Sequence, residues 1–240
     1  MKKILLFLIG FFLFYAPLQA QPPMFSPGPA STSVIGTVEL ATDAETATGT
    51  SDAVVCTPGN VASVYQYDTI WIPAGAMAPL STNGAAFSSN EYATNDVMVD
   101  YYAFDTTTEE YVAVNIVMPE AWDRSTIKAK FFWSSASGSS ENDTVEWQIA
   151  GQAISNDDPL DVAMGDAGEV ISDAVTAGTN GDLMITAATP AVTVGGTPAL
   201  GDLVHFKFSR NVGGTDVMSE DGWLFGIWIQ FKKTNTVSAW

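Results

Sequence analysis

A mainly β chain, folded as an antiparallel two-sheet sandwich of jelly-roll-like topology behind a short strand-helix segment, is the fold class this sequence predicts. Three observations carry the prediction. Apolar residues recur with period two in "YVAVNIVM", "TIKAKFFW", "TVEWQI" and "WLFGIWIQFK", the pattern of strands with one face inward. Such runs, about eight or nine in all, are separated by Gly, Ser, Asn, Asp and Pro clusters and follow one another without intervening helices. The 240 residues are 47% hydrophobic and 15% charged, enough for one large core. Cys56 is the only cysteine, so no intrachain disulfide contributes.

Residues 1–20 have the layout of a secretory signal peptide. Lys2 and Lys3 precede an apolar run from Ile4 to Tyr15, and Ala20 offers a cleavage position. An uncleaved anchor, or a start codon placed too far upstream, is the alternative, although the apolar run falls short of the roughly 20 residues that a membrane span needs. Residues 21–35, "QPPMFSPGPASTSVI", read as an extended Pro/Gly-rich linker. Residues 36–66 then offer a short strand in "GTVEL" and two short helices. Thr42 and Glu45 form a capping box ahead of the first helix, and Gly49 ends it. Thr57 caps the second, with Pro58 at its first position, where a missing N–H costs nothing. Helices this short bury little surface, so the segment is expected to assemble with neighbouring chains. Cys56, beside Val54 and Val55, reads as an inert small hydrophobe.

Residues 67–233 are the expected sandwich, and residues 234–240 a C-terminal tail. Alternation puts Val112, Val114, Ile116 and Met118 on one face. It sets Ile127, Ala129, Phe131 and Trp133 against Lys128, Lys130 and Phe132, and Val145, Trp147 and Ile149 against Thr144, Glu146 and Gln148. In the last run Trp223, Phe225, Ile227, Ile229 and Phe231 are expected inside, with Leu224, Gly226, Trp228 and Gln230 outside. Further strands are expected in "DTIWIP", "VMVDYYAF", "GDLMITA", "PAVTVGG" and "GDLVHFKFS". One short helix is expected in "SNDDPLDVAMGDAGEV", capped by Asp157 or Asp158, begun by Pro159 and stopped by Gly165.

The stretch "GTVELATDAETATGTSDAVVCTPGNVAS", residues 36–63, resembles the short repeat of bacteriophage tail fibres, in which a glycine and a "V-x-L-A" strand precede an acidic turn and a "T-P" helix start. Downstream, "MPEAWDRSTIKAKFFWSS", "DTVEWQIAG" and "GTPALGDLVHFKFSRN" look like a β-rich domain of phage virion proteins. The resemblance implies a virion structural protein, a tail-fibre or head-decoration component. Its partners would be other copies of itself, as a trimer, further virion proteins and a host-surface receptor. The leader points instead to an exported bacterial surface or matrix protein built from the same modules. A polysaccharide depolymerase is the third reading.

The formal net charge of −18 excludes nucleic acid as a ligand, since phosphate backbones are bound by neutralising them. Cations, basic partner proteins and neutral glycans stay open. His205 is the only histidine, and no "GxSxG" elbow accompanies it, so a non-enzymatic role is expected. Carboxylates cluster at Asp157, Asp158 and Asp161, at Asp216, Glu220 and Asp221, and at Asp100 and Asp105. A sugar-cleaving pair would have to come from them. Calcium suits such loops better, with Asp157, Asp158 and Asp161 as candidate ligands, although no ordered ligand series is present. No other cofactor is expected. Tyr92, Tyr101, Tyr102, Phe132 and Trp228 fall on outward or loop positions, where aromatics stack on the sugar rings of a host-surface glycan or anchor a protein interface. Cover by a neighbouring protomer is the alternative.

Overall fold

The structure, a computed structural model, describes residues 39–49, 54–64, 66–164, 168–176 and 181–234. The chain divides into two units after Thr57. The expected leader (1–20) and linker (21–35) lie outside the described residues, as does the expected tail beyond Thr234.

In the first unit, β1 (Glu39–Leu40) pairs in parallel with β2 (Val54–Val55), and α1 (Asp43–Thr48) lies between them in the chain. The capping box forms as expected. The Thr42 backbone N–H donates to Glu45 Oε2 at 2.9 Å, and the Glu45 N–H donates to Thr42 Oγ1 at 3.3 Å. Gly49 takes φ 59° and donates its N–H to the Glu45 carbonyl at 3.0 Å, a left-handed cap that other side chains resist. Ala41 is buried here, whereas Leu40 and Val55 stay exposed. Cys56 is exposed as well, accepting a bond from Thr46 Oγ1 at 3.6 Å, which corrects the expectation of a packed small hydrophobe.

The second unit opens with α2 (Pro58–Val64), its proline at the first helical position. The strands follow: β3 (Tyr67–Pro73), β4 (Ala78–Pro79), β5 (Ala86–Tyr92), β6 (Val97–Phe104), β7 (Tyr111–Val117), β8 (Trp122–Ser135), β9 (Thr144–Ile154), β10 (Glu169–Ala174), β11 (Met184–Ile185), β12 (Val194–Gly195), β13 (Leu203–Arg210) and β14 (Gly222–Lys233). They form two sheets. The front sheet runs β11-β8-β14-β6-β5, and the back sheet β10-β9-β13-β7-β4, with β12 beside β9. One edge of β14 is shared, β6 taking Gly222–Leu224 and β3 taking Gly226–Lys232. Leaving out the short or peripheral β3, β4, β5 and β12, the strands divide into β6-β14-β8-β11 in front and β7-β13-β9-β10 behind. That is the strand order of a jelly roll, and it bears out the expected fold class.

Between the sheets, Phe131, Trp133, Trp147, Ile149, Phe206 and Phe208 are wholly buried. Trp147 is the hub: it stacks on Phe131 at 5.6 Å between centroids and meets Phe104 edge-on at 5.2 Å. Burial of such side chains contributes about 1.5–3 kcal/mol each, and the ring geometry adds to it. The alternation expected for β8 and β9 is the one observed. On β7, Val112 and Val114 are buried and Ile116 is partly so, and Met118, just past its end, is buried as well.

Three expectations are corrected. A bulge at Phe225 shifts the register of β14 against β8, so its phase reverses midway. Leu224 is therefore buried, while Trp223 and Phe225 turn to the outer face; Ile227, Ile229 and Phe231 keep their inward assignment. No helix forms over residues 158–164. Instead the Asp158 N–H donates to the Ser155 carbonyl at 3.1 Å and the Ser155 N–H to Asp158 Oδ2 at 2.9 Å, closing a tight turn. Asp157 takes φ 70° in that turn, a conformation no α-helix can continue from. Finally Tyr101 and Tyr102 are buried. Tyr102 points inward and donates its hydroxyl to the Met77 carbonyl at 3.0 Å, and Tyr101 is roofed by Trp223 at 4.5 Å.

One buried ionic device fastens the loop between β13 and β14. Arg210 is completely buried, and its five N–H donors all find acceptors. Nε and Nη2 grip Asp216 at 2.8 Å each, Nη1 reaches the Phe104 and Glu220 carbonyls, and Nη2 also reaches the Met218 carbonyl. The neighbouring Glu146 accepts from Ser172 Oγ, Thr215 Oγ1 and Asn211 Nδ2.

Candidate functional site

The outer face of the front sheet is where the sequence leaves aromatic residues without a core to enter. Registers set them in rungs: Trp71, Trp228 and Lys130 lie abreast, followed by Thr69, Gln230 and Lys128, and then by Tyr67 and Lys232. Since residues two apart on a strand share a face, all of these project outward together. Trp71 and Trp228 are each 44% exposed, far more than the buried tryptophans of the core. Phe132 stands between them, 4.8 Å from the Trp71 ring and 5.5 Å from the Trp228 ring, edge-on to both. The interlock fixes the orientation of both indoles before any ligand arrives.

Trp71 keeps its place through Gly226, its close cross-strand neighbour. A Cβ at position 226 would lie 2.4 Å from the indole, so only glycine lets the ring lie flat over the bulge. Beyond the rings runs a groove of about 460 Å³, lined by Trp71, Phe132, Phe225, Tyr92, Val99 and Leu183. Its wall is stiffened where Phe225 meets Tyr101 edge-on at 6.3 Å. On the other side of Trp228 a smaller hollow of about 160 Å³ counts Thr69, Lys128, Lys130 and Gln230 among its lining. An apolar slot beside a row of donors suits a ligand with an apolar face and a polar rim.

Of the expected aromatic residues, Tyr92, Phe132 and Trp228 come together on this face, whereas Tyr101 and Tyr102 do not reach solvent. Trp71 and Phe225 were missed. The alternation of "DTIWIP" carried the signal for Trp71, since Ile70 and Ile72 point the other way; the bulge hid Phe225.

The carboxylates serve local structure. Asp157 Oδ2 accepts from Asn156 Nδ2 and Asp158 from its own turn. With Asp161 they form no ligand set, and among the described residues no group of three or more His, Cys, Asp or Glu is placed to hold a metal ion. Asp100 accepts from Ser89 Oγ, and Asp216 is held by Arg210. Asp105 binds the N–H groups of Thr107 and Thr108, and these bonds hold its carboxyl below the usual range. Burial, with Asp105 nearby, pushes Asp221 up.

His205 sits on the outer face of the back sheet, its Nδ1 2.7 Å from Asn115 Oδ1, so with the amide oriented this way Nδ1 carries the proton. Partial burial, and secondarily Lys207, lowers its pKa. The unfolded chain takes up a proton near pH 6.5 that the folded chain resists, so this residue makes stability fall as pH drops through the imidazole range. Urea midpoints measured from pH 7.5 to 5.5 are expected to fall less steeply in His205→Gln than in the native chain.

No family model matches the chain, and no curated protein matches it. Among solved structures it is similar to the CBM22-1 and GH10 modules of the N-terminal endo-1,4-beta-D-xylanase 10B of Clostridium thermocellum, at 11% identity over 73% of this chain, with a TM-score of 0.39. The match spans 29% of that chain's length. It is also similar to a family 11 carbohydrate-binding module from Clostridium thermocellum, at 14% identity over 67% of this chain and 94% of that one, with a TM-score of 0.36. A third is a protein of unknown function from Shewanella oneidensis, at 10% identity over 79% of this chain and 100% of that one, with a TM-score of 0.28.

Proposed function

We propose that this chain is a non-enzymatic attachment protein whose jelly roll binds a glycan along the aromatic outer face of its front sheet. The observation that carries the reading is the interlocked trio of Trp71, Phe132 and Trp228 beside a hollow that Thr69, Gln230, Lys128 and Lys130 help to line. A pyranose ring has an apolar face of C–H groups and a rim of hydroxyls. The first packs on exposed indoles, and the second finds Thr69, Gln230 and the lysines. Of the carboxylates that an enzyme reading would draw on, Asp105 and Asp158 are engaged by turns and Asp216 by Arg210.

The N-terminal unit is the display segment in this reading. Its exposed Leu40 and Val55 favour burial against other chains, in line with the tail-fibre-repeat resemblance of residues 36–63. Several copies of one weak site add to useful avidity. The setting is the surface of a virion, or of a cell if the leader is used. The N-terminal residue of the natural protein distinguishes the two, since a start at Gln21 marks export.

The test is glycan-array binding followed by titration of the full chain with the best oligosaccharide. Trp228→Ala is expected to lower affinity about tenfold, close to 1.4 kcal/mol, without changing the urea midpoint. Unchanged affinity in that variant would sink the reading.

A further inference from the structure

The chain is strongly acidic, with 27 Asp and Glu against 9 Lys and Arg, and the placement of the few cations is uneven. Lys2 and Lys3 lie in the leader. Of the others, Lys128, Lys130 and Arg124 lie on β8 and Lys232 and Lys233 on β14, leaving only Lys207 and Arg210 elsewhere. Arg210 is buried in its own network.

The outward positions of β3, β14 and β8 abreast of one another are Tyr67, Thr69, Trp71 and Pro73, then Gly226, Trp228, Gln230 and Lys232, then Lys128, Lys130 and Phe132. No Asp or Glu occupies any of them. At the far end of the face Lys232 meets Asp123 and Lys233 meets Asp68, both at 3.9 Å. Lys128 and Lys130, the two nearest the tryptophans, form no ion pair among the described residues. They stand about 7 Å apart along one strand, as alternate residues do.

We propose that the ligand of this face is an anionic, carboxylate-bearing polysaccharide, a polyuronate, with sugar rings on Trp71 and Trp228 and carboxylates against Lys130 and Lys128. This rests on the glycan reading above and narrows it. The argument is charge complementarity. A protein whose overall field repels anions gains nothing from two unneutralised ammonium groups beside its only described aromatic platform of this kind, unless the ligand brings the counter-charge. A neutral glycan would need hydroxyl and amide partners alone, which Thr69 and Gln230 already provide.

The experiment is calorimetric titration of the full chain with polygalacturonate, polymannuronate and polyguluronate, each beside its carboxyl-reduced neutral counterpart, at low and at 0.5 M salt. At least one polyuronate is expected to bind ten times or more tighter than its neutral form, with the advantage shrinking in high salt as screening predicts. Lys128→Gln/Lys130→Gln is expected to bring that polyuronate down to the neutral level, and Trp71→Ala/Trp228→Ala to abolish both. Equal binding of charged and neutral polymers, or an unchanged affinity in the lysine variant, overturns the anionic ligand and leaves the glycan reading standing. Absence of binding to every polymer overturns both. So does a sedimenting oligomer that falls apart in the tryptophan variant, which would make the face a contact between copies of this chain.

Discussion

Arg210→Ala is expected to cost about 3–5 kcal/mol, a large share of the stability of a domain of this kind. The guanidinium is completely buried and bound on both edges, so its removal strips Asp216 of its counter-charge and takes one donor each from the carbonyls of Phe104, Met218 and Glu220. A buried carboxylate that keeps the Glu146 N–H but has lost its counter-charge is the costlier part. Arg210→Lys is expected to recover little, because an ammonium offers three donors from one point where the fork offers five across a plane. Urea unfolding checks both variants, through a lower midpoint at unchanged slope. A loss below about 1 kcal/mol in Arg210→Ala would mean that the loop between β13 and β14 holds without its clasp, contrary to the network seen.

The second large effect is expected at Gly226, where stability and recognition meet. In Gly226→Ala the added methyl group lies 2.4 Å from the Trp71 ring and 2.8 Å from the Ile72 carbonyl oxygen. Overpacking of this kind costs about 1–3 kcal/mol. The indole is the softer of the two obstacles and should swing away, disturbing the interlock with Phe132. Glycan affinity is then expected to fall as far as in Trp71→Ala, while the wholly buried core around Trp147 keeps its near-ultraviolet dichroism. Full affinity in Gly226→Ala would exclude Trp71 from the binding surface.

Where local rules acted alone, the sequence was informative. The Thr42–Glu45 box, Gly49 and Pro58 set the helix ends where they are found, because a cap depends on a handful of consecutive residues. Strand faces could be read in β8 and β9 because each is continuous and one face is sealed by the other sheet. β14 is different. Its bulge arises from pairing with β8, a relation between residues nearly a hundred positions apart, and alternation counted along one strand cannot register it. Tyr101 shows the same limit: its face was rightly taken as the outer one, but Trp223 from another strand covers it. The missing helix after Ser155 had sound caps on paper, yet Asp158 satisfied its own turn first. For the site, two of the three interlocked rings were among the expected aromatics. Trp71 was not, although the alternation of "DTIWIP" sets it outward; the partner-strand glycine that seats its ring is visible only in the fold.

The position of β14 also governs when this molecule can become itself. It is the last strand in chain order among the described residues, yet it is central in the front sheet, with β8 on one edge and β6 and β3 on the other. At an elongation rate of about 5–20 residues per second, β3, β6 and β8 are all synthesised seconds before the strand that joins them. Until then the β8 edge that β14 takes has no partner strand, and pairings so distant in sequence form slowly. The front sheet is therefore joined in one late step, and the face that carries Trp71, Phe132 and Trp228 is completed only with it.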